Sequence, residues 1–274
     1  MKNSSPENPR AVIVLAAVSS FVTPFMGSAV NVALPSIGRE FEMAAATLSW
    51  LPMAYVLTSS VFLLPIGRLA DLRGRRGFLR WGLIVFTLSS GLQALAPSSG
   101  FLLTMRGVQG VGGAMLFCTV MPLLVEVCPA AGRGRALGVN VAAVYLGLSA
   151  GPVLGGVLTQ ALGWRGIFIF GFVLGLGALL LAFWKLGRQE PQPFRDKFDL
   201  PGAVSYAISL LVLGWGFALS PSWWALVPML AGLAGLGLFV FWESQVPHPV
   251  LDVRMLRRNT VFAFSNLAAL INYA

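Results

Sequence analysis

Gly67-Arg-Leu-Ala-Asp71-Leu-Arg73-Gly74-Arg75-Arg76-Gly77 sets five charged residues between two apolar runs, 45–67 and 78–96. Crossing a hydrocarbon core takes about 20 apolar residues. The stretch therefore reads as a short polar connection between two membrane spans. Its glycines permit a tight turn, and Asp71 among four arginines can form charge-assisted pairs that make and break.

Working outward, the same alternation of apolar runs and polar breaks places further spans at 11–34, 101–127, 136–160, 166–185, 200–219 and 224–242. A ninth run begins near Thr260 and is still apolar at Ala274, about 15 residues on, which is short for a span and reads as the start of a truncated helix. The chain of 274 residues is 57% hydrophobic and only 11% charged, against roughly 25% charged in soluble domains. Its mean hydropathy is +0.79. A soluble enzyme, a disordered regulator and a nucleic-acid-binding domain are all disfavoured, and an all-α membrane protein is expected.

The net charge of +9 is a topology signal. Sixteen of the nineteen basic residues fall on one side if the N-terminus is cytoplasmic; the other side holds Arg39 and Arg165, and Arg106 lies within a span. The positive-inside rule then orients the chain with a cytoplasmic N-terminus in a cell membrane, in keeping with a prokaryotic cytoplasmic (inner) membrane. The basic pI needs no nucleic-acid partner; membrane lipid is the expected surrounding. Six spans end at a polar stretch with two prolines, giving domains at 1–187 (a six-helix bundle), 188–199 (a cytoplasmic linker), 200–243 (two more helices), 244–259 (a cytoplasmic loop) and 260–274 (the truncated helix). Cys118 and Cys128 stand ten residues apart in one apolar stretch, about 15 Å along a helix, too far for a disulfide. His248 has no second ligand nearby, so no metal site is expected, and no cofactor. No H-E-x-x-H, G-x-S-x-G or P-loop occurs, so no catalytic residue is assigned.

The Gly67–Gly77 stretch resembles the loop between helices 2 and 3 of the major facilitator superfamily, G-x-L-A-D-x-x-G-R-R/K. Arg106-Gly-Val-Gln109-Gly110 looks like that family's fourth-helix motif, and Gly147-Leu-Ser-Ala-Gly151-Pro152-Val-Leu-Gly155-Gly156 looks like its fifth-helix antiporter motif. Asn31-Val-Ala-Leu-Pro35 and Phe198-Asp-Leu-Pro-Gly202 resemble helix 1 and the start of helix 7 in its drug:proton antiporter group with 14 spans.

The resemblance implies a conformational switch built from Gly67, Asp71, Arg73, Gly74, Arg75, Arg76 and Glu126, with Asp71, Arg75 and Glu126 in one charge network. On its own chemistry Arg106 either faces a cavity or partner, or snorkels to the interface. Gly147, Gly151 and Gly155 recur every four residues, forming a stripe that lets another backbone come close, and Pro152 adds a bend. The family links this seam, with Gly156, to outward antiport. The group's usual helix-1 acid falls at Met26, with Ser28 in the place of its threonine, so a proton-coupled cycle would have to use Asp71, Glu126 or residues beyond this sequence. Prolines 24 and 35 are expected to break helix 1. Met26, Ser28, Asn31, Trp50, Tyr55, Thr58, Gln109, Asn140 and Tyr145 are candidate cavity residues; for Trp50, as for Trp164, Trp223 and Trp224, the membrane-interface belt is the stronger reading.

Together these readings describe the N-terminal portion of a transporter for small amphipathic or drug-like molecules, working by alternating access and requiring a C-terminal bundle. A metabolite carrier of the same fold and a non-transporting truncated membrane protein are the alternatives.

Overall fold

The computed structural model describes residues 9–187, 198–220, 222–255 and 259–273. They form α1 (Pro9–Glu40), α2 (Ala45–Arg73), α3 (Arg75–Ala94), α4 (Ser99–Val127), α5 (Ala130–Leu162), α6 (Arg165–Lys185), α7 (Leu200–Ala218), a 3-10 turn (Trp223–Ala225), α8 (Leu226–Glu243) and α9 (Thr260–Tyr273). No strand occurs among the described residues. Among the described residues, seven helical segments are long and apolar enough to cross a bilayer: α1, α2, α4, α5, α6, α7, and the 3-10 turn with α8. The chain is an all-α, multi-pass membrane protein.

The run expected as a span at 78–96 behaves differently. Its helix, α3, carries Arg75, Arg76 and Arg80 in its first turns and Thr87, Ser89, Ser90 and Gln93 farther on, which lowers its hydropathy. Those four polar side chains are buried, and α3 packs on both α4 and α6. Protein surrounds them, which spares them the cost of facing lipid. Helix α9, at 14 residues, is shorter than the roughly 20 a span needs.

The expected break of helix 1 does not occur, because Pro24 and Pro35 both lie inside the continuous 32-residue α1. Each proline removes one ladder hydrogen bond, and a membrane helix tolerates this where neighbouring helices hold it. α1 is held in this way by α5 along one side and α6 along another.

The helices divide into two compact units, Met1–Pro193 and Phe194–Ala274. In the first, α1 packs on α5, α6 and α4, α2 on α4, and α3 on α4 and α6. Exchanging α1 with α4, α2 with α5 and α3 with α6 maps this set of pairings onto itself. The unit is thus two three-helix repeats running in opposite senses, the arrangement that builds each half of many transporters. Its core includes Phe25, Met26, Phe86, Trp164 and Phe168. In the second unit α7 and α8 form a hairpin. Asp199 caps α7 by accepting from the Gly202 amide at 3.0 Å, and its other oxygen accepts from Trp242 Nε1 at 3.0 Å. The expected linker at 188–199 lies, up to residue 197, outside the described residues.

Candidate functional site

The charged stretch Gly67–Gly77 contracts to a turn of one residue. α2 continues through Arg73, and α3 begins at Arg75. Gly74 between them has φ 109° and ψ 122°, a region that side chains with a Cβ rarely enter. Its amide still donates to the Ala70 carbonyl at 2.9 Å. Asp71 and Arg73 therefore ride on the last turn of α2, and Arg75 and Arg76 on the first turn of α3.

This placement brings four of the predicted switch residues together. Arg75 Nε donates to Asp71 Oδ1 at 2.8 Å, Arg75 Nη1 lies 3.7 Å from Glu126 Oε2, and Arg76 Nη2 lies 3.4 Å from Glu126 Oε1. Asp71 and Glu126 sit at helix C-termini and the arginines at a helix N-terminus, in each case the wrong sign for the helix dipole. Each charge is unfavourable for its own helix and favourable only across the junction, so the junction holds while α2, α3 and α4 stay in this arrangement. Arg73 is exposed on the same turn. Gly67 faces α4, where an added Cβ would rest 3.5 Å from Cys118 Cβ.

Arg106 is fully buried, which rules out snorkelling to the interface. Its Nε donates to the Leu51 carbonyl of α2 at 3.2 Å and its Nη1 to Gln109 Oε1 at 2.6 Å. Its guanidinium lies 4.7 Å from the centre of the Tyr55 ring. Gln109 Nε2 passes the chain on to Ser90 Oγ of α3 at 2.7 Å, and Ser90 donates to the Phe86 carbonyl at 2.7 Å. A relay of neutral acceptors thus stabilises a buried cation across three helices, where hydrogen bonds to charge contribute about 1.5–3 kcal/mol each.

The glycine stripe of α5 lies against α1. A Cβ at Gly147 would run into the Phe21 carbonyl, one at Gly151 would stand 2.6 Å from Ser28 Cβ, and one at Gly155 would stand 2.9 Å from Ala29 Cβ. Two polar contacts secure the same seam: Ser20 Oγ donates to Asn140 Oδ1 at 2.8 Å, and Ser28 Oγ to the Leu148 carbonyl at 3.0 Å. Gly156 stands off the seam, with Val32 4.0 Å from an added Cβ. Pro152 is exposed within an unbroken helix.

The expected cavity residues do not form one group. Arg106, Gln109 and Tyr55 meet between α2, α3 and α4; Ser28 and Asn140 lie in the α1–α5 seam. Met26 is fully buried and faces α6, its sulfur 2.5 Å from where a Cβ at Gly171 would stand. Two residues on from Met26 is about 200° around a helix, which is why Ser28 and Met26 face different neighbours. Asn31 and Tyr145 are exposed. Trp164 is buried rather than part of an interface belt, and its Nε1 donates to Glu40 Oε2 at 2.7 Å. That contact was not foreseen; an acid closing one helix and a Trp-Arg pair opening another is the signal that could have found it. Among the described residues no group of three or more His, Cys, Asp or Glu could hold a metal ion.

A bundle of long apolar helices, with polar relays inside and charged junctions at its ends, is a polytopic membrane protein. The sequence model of the Major Facilitator Superfamily matches residues 16–271, and the chain belongs to that superfamily. It is 34% identical to the cephamycin export protein CmcT of Amycolatopsis lactamdurans, over 98% of this chain and 57% of that protein. It is also 34% identical to the multidrug resistance protein Stp of Mycobacterium tuberculosis, over 83% of this chain and 43% of that protein. The chain thus spans about half the length of the curated relatives it matches. The crystal structure of the POT family transporter PepTSo, 14% identical, superposes with a TM-score of 0.58 over 89% of this chain and 56% of that one, and so shares the fold.

Proposed function

We propose that the chain is the N-terminal part of an exporter of small amphipathic molecules that works by alternating access in a prokaryotic cytoplasmic membrane, its N-terminus inside. Its similarity along 98% of its length to a protein named for cephamycin export carries this reading. In this reading residues 1–187 are one rocking bundle, 188–199 the linker, 200–243 an additional helix pair as in relatives with 14 spans, 244–259 a loop, and 260–274 the start of the partner bundle. Rocking of two bundles about a central site requires that partner. No covalent step is involved, so the protein is not an enzyme.

In this cycle the junction of Asp71, Arg75, Arg76 and Glu126 is the switch, and the α1–α5 seam the surface along which the bundle seals. Asn31 and Tyr145, exposed on those two helices, are the residues positioned to meet substrate. Arg106, Gln109 and Tyr55 hold α2, α3 and α4 together. Met26 cannot carry a proton, so any proton coupling runs through Asp71, Glu126 or the partner bundle.

The test is dye efflux in a bacterial strain lacking its own exporters. Joined to a C-terminal six-helix bundle, the chain is expected to lower accumulation of a cationic dye such as ethidium; alone, it is expected to change nothing, in cells or in proteoliposomes. Unchanged accumulation of the dye and of a panel of other amphipathic compounds with the joined protein would sink the export reading. Uptake by the 274-residue chain alone would sink the requirement for a partner.

A further inference from the structure

At the end of the six-helix unit opposite Gly74, three segments far apart in sequence meet around Arg165, which bonds both the Glu40 carboxylate and the Ala96 carbonyl. Glu40 is the last residue of α1. It accepts from Trp164 Nε1 at 2.7 Å and from Arg165 Nη1 at 2.9 Å, with Arg165 Nη1 also 2.7 Å from its other oxygen. Arg165 Nη2 reaches on to the Ala96 carbonyl, in the turn between α3 and α4, at 3.3 Å. The guanidinium lies 4.2 Å from the Trp164 ring centre, so one cation covers the indole whose N–H is already committed. Beneath it the indole is buried between Phe41 and Phe168, with ring centres at 5.7 and 5.8 Å.

Glu40 at a helix C-terminus and Arg165 at a helix N-terminus both oppose their own helix dipoles. Helix-end stabilisation does not account for either; the contact between segments does. A sliding of α1 along α6 would also pull Met26 out of the notch at Gly171, so two contacts at different heights resist the same motion.

We propose that Glu40, Trp164 and Arg165 are positioning residues that join the end of α1, the start of α6 and the α3–α4 turn into one cooperative block. This block keeps its end of the bundle fixed while the Gly74 end exchanges ion pairs. Its role in a transport cycle rests on the export reading; the existence of the block does not.

Hydrogen–deuterium exchange on the whole chain in lipid nanodiscs, without substrate, tests it. Glu40→Ala is expected to speed exchange about tenfold or more in all three segments, around residues 37–43, 93–98 and 163–169, and to leave 68–78 unchanged. Glu40→Gln, whose amide oxygen still accepts from the indole, is expected to keep most of the protection. Should Glu40→Ala yield no folded protein, Trp164→Phe, which keeps a ring and loses the N–H, is expected to loosen the same three segments. Faster exchange confined to 37–43 would reduce the cluster to a local helix end and overturn the proposal. An equal rise at 68–78 would mark general loosening and overturn it too. Because exchange is read without transport, failure to detect efflux leaves this result standing, and the converse also holds.

Discussion

The two ends of the six-helix unit use the same device to different effect. At each, an acid from a helix C-terminus meets an arginine from a helix N-terminus: Glu126 with Arg75 and Arg76 at 3.4–3.7 Å, and Glu40 with Arg165 at 2.7 Å. At both ends the charges oppose the dipoles of their own helices, so both depend on helices staying side by side. Both ion pairs are partly exposed. The difference is the indole: Glu40 also accepts from a tryptophan buried to 2% exposure, whereas the partners described for Glu126 are the half-buried arginines Arg75 and Arg76. A charge pair in water contributes little and is easily exchanged; one anchored to a buried aromatic donor is not.

The strongest way to break this comparison is Trp164→Ala. Losing a buried tryptophan from a packed core costs about 3–5 kcal/mol, and it also strands the Glu40 carboxylate beside Arg165 alone. Glu126→Ala, at the other end, is expected to cost less than about 1 kcal/mol. Chemical unfolding of both variants in the same detergent measures the difference. If the two fall within 1 kcal/mol of each other, the ends do not differ in kind.

Next in size is Gly74→Ala. The backbone at Gly74, φ 109° and ψ 122°, is one that an alanine enters at a cost of about 1–3 kcal/mol. The expected outcome is a loss of stability in that range, together with faster exchange across the α2–α3 turn. No change in either would mean that the turn relaxes without strain and is not what aligns Asp71 with Arg75.

How far the sequence carried the reading follows from which signals are local. Span positions came from run length, because about 20 apolar residues in a row have few alternatives. Run length placed α3 as well, at 78–96, although Thr87, Ser89, Ser90 and Gln93, which face other helices and not lipid, lower its hydropathy. Asp71, Arg75 and Glu126 were legible as a cluster once the family resemblance was in hand. The one-residue turn was not, because hydropathy cannot tell a charged loop from a charged helix end. Arg106 was identifiable as a cation within a span, but Leu51, Gln109 and Ser90 as its relay required the packing of three helices. The Glu40–Trp164 contact spans 124 positions, beyond the reach of any helical periodicity. Met26 and Ser28 were grouped as neighbours in sequence, and the turn of the helix sends them to different partners.

The smallest expected effect is also the one that separates a switch from a staple. Neutralising Arg75 and Glu126 singly and together, Arg75→Gln and Glu126→Gln, should give a coupling energy of about 0.2–1 kcal/mol at low salt. Neutral variants serve better than charge reversals here, because a glutamate at position 75 would face Asp71 as well as position 126 and blur the cycle. Raising the salt to about 1 M shortens the screening length to about 3 Å, comparable to the 3.7 Å separation of Arg75 and Glu126, and the coupling should fall toward zero. A parallel cycle on Glu40→Ala and Trp164→Phe, each of which removes the indole–carboxylate hydrogen bond, should hold most of its coupling at the same salt, since the indole N–H is neutral and buried. An Arg75–Glu126 coupling as insensitive to salt as the Glu40–Trp164 one would mean that the Gly74 end is also locked.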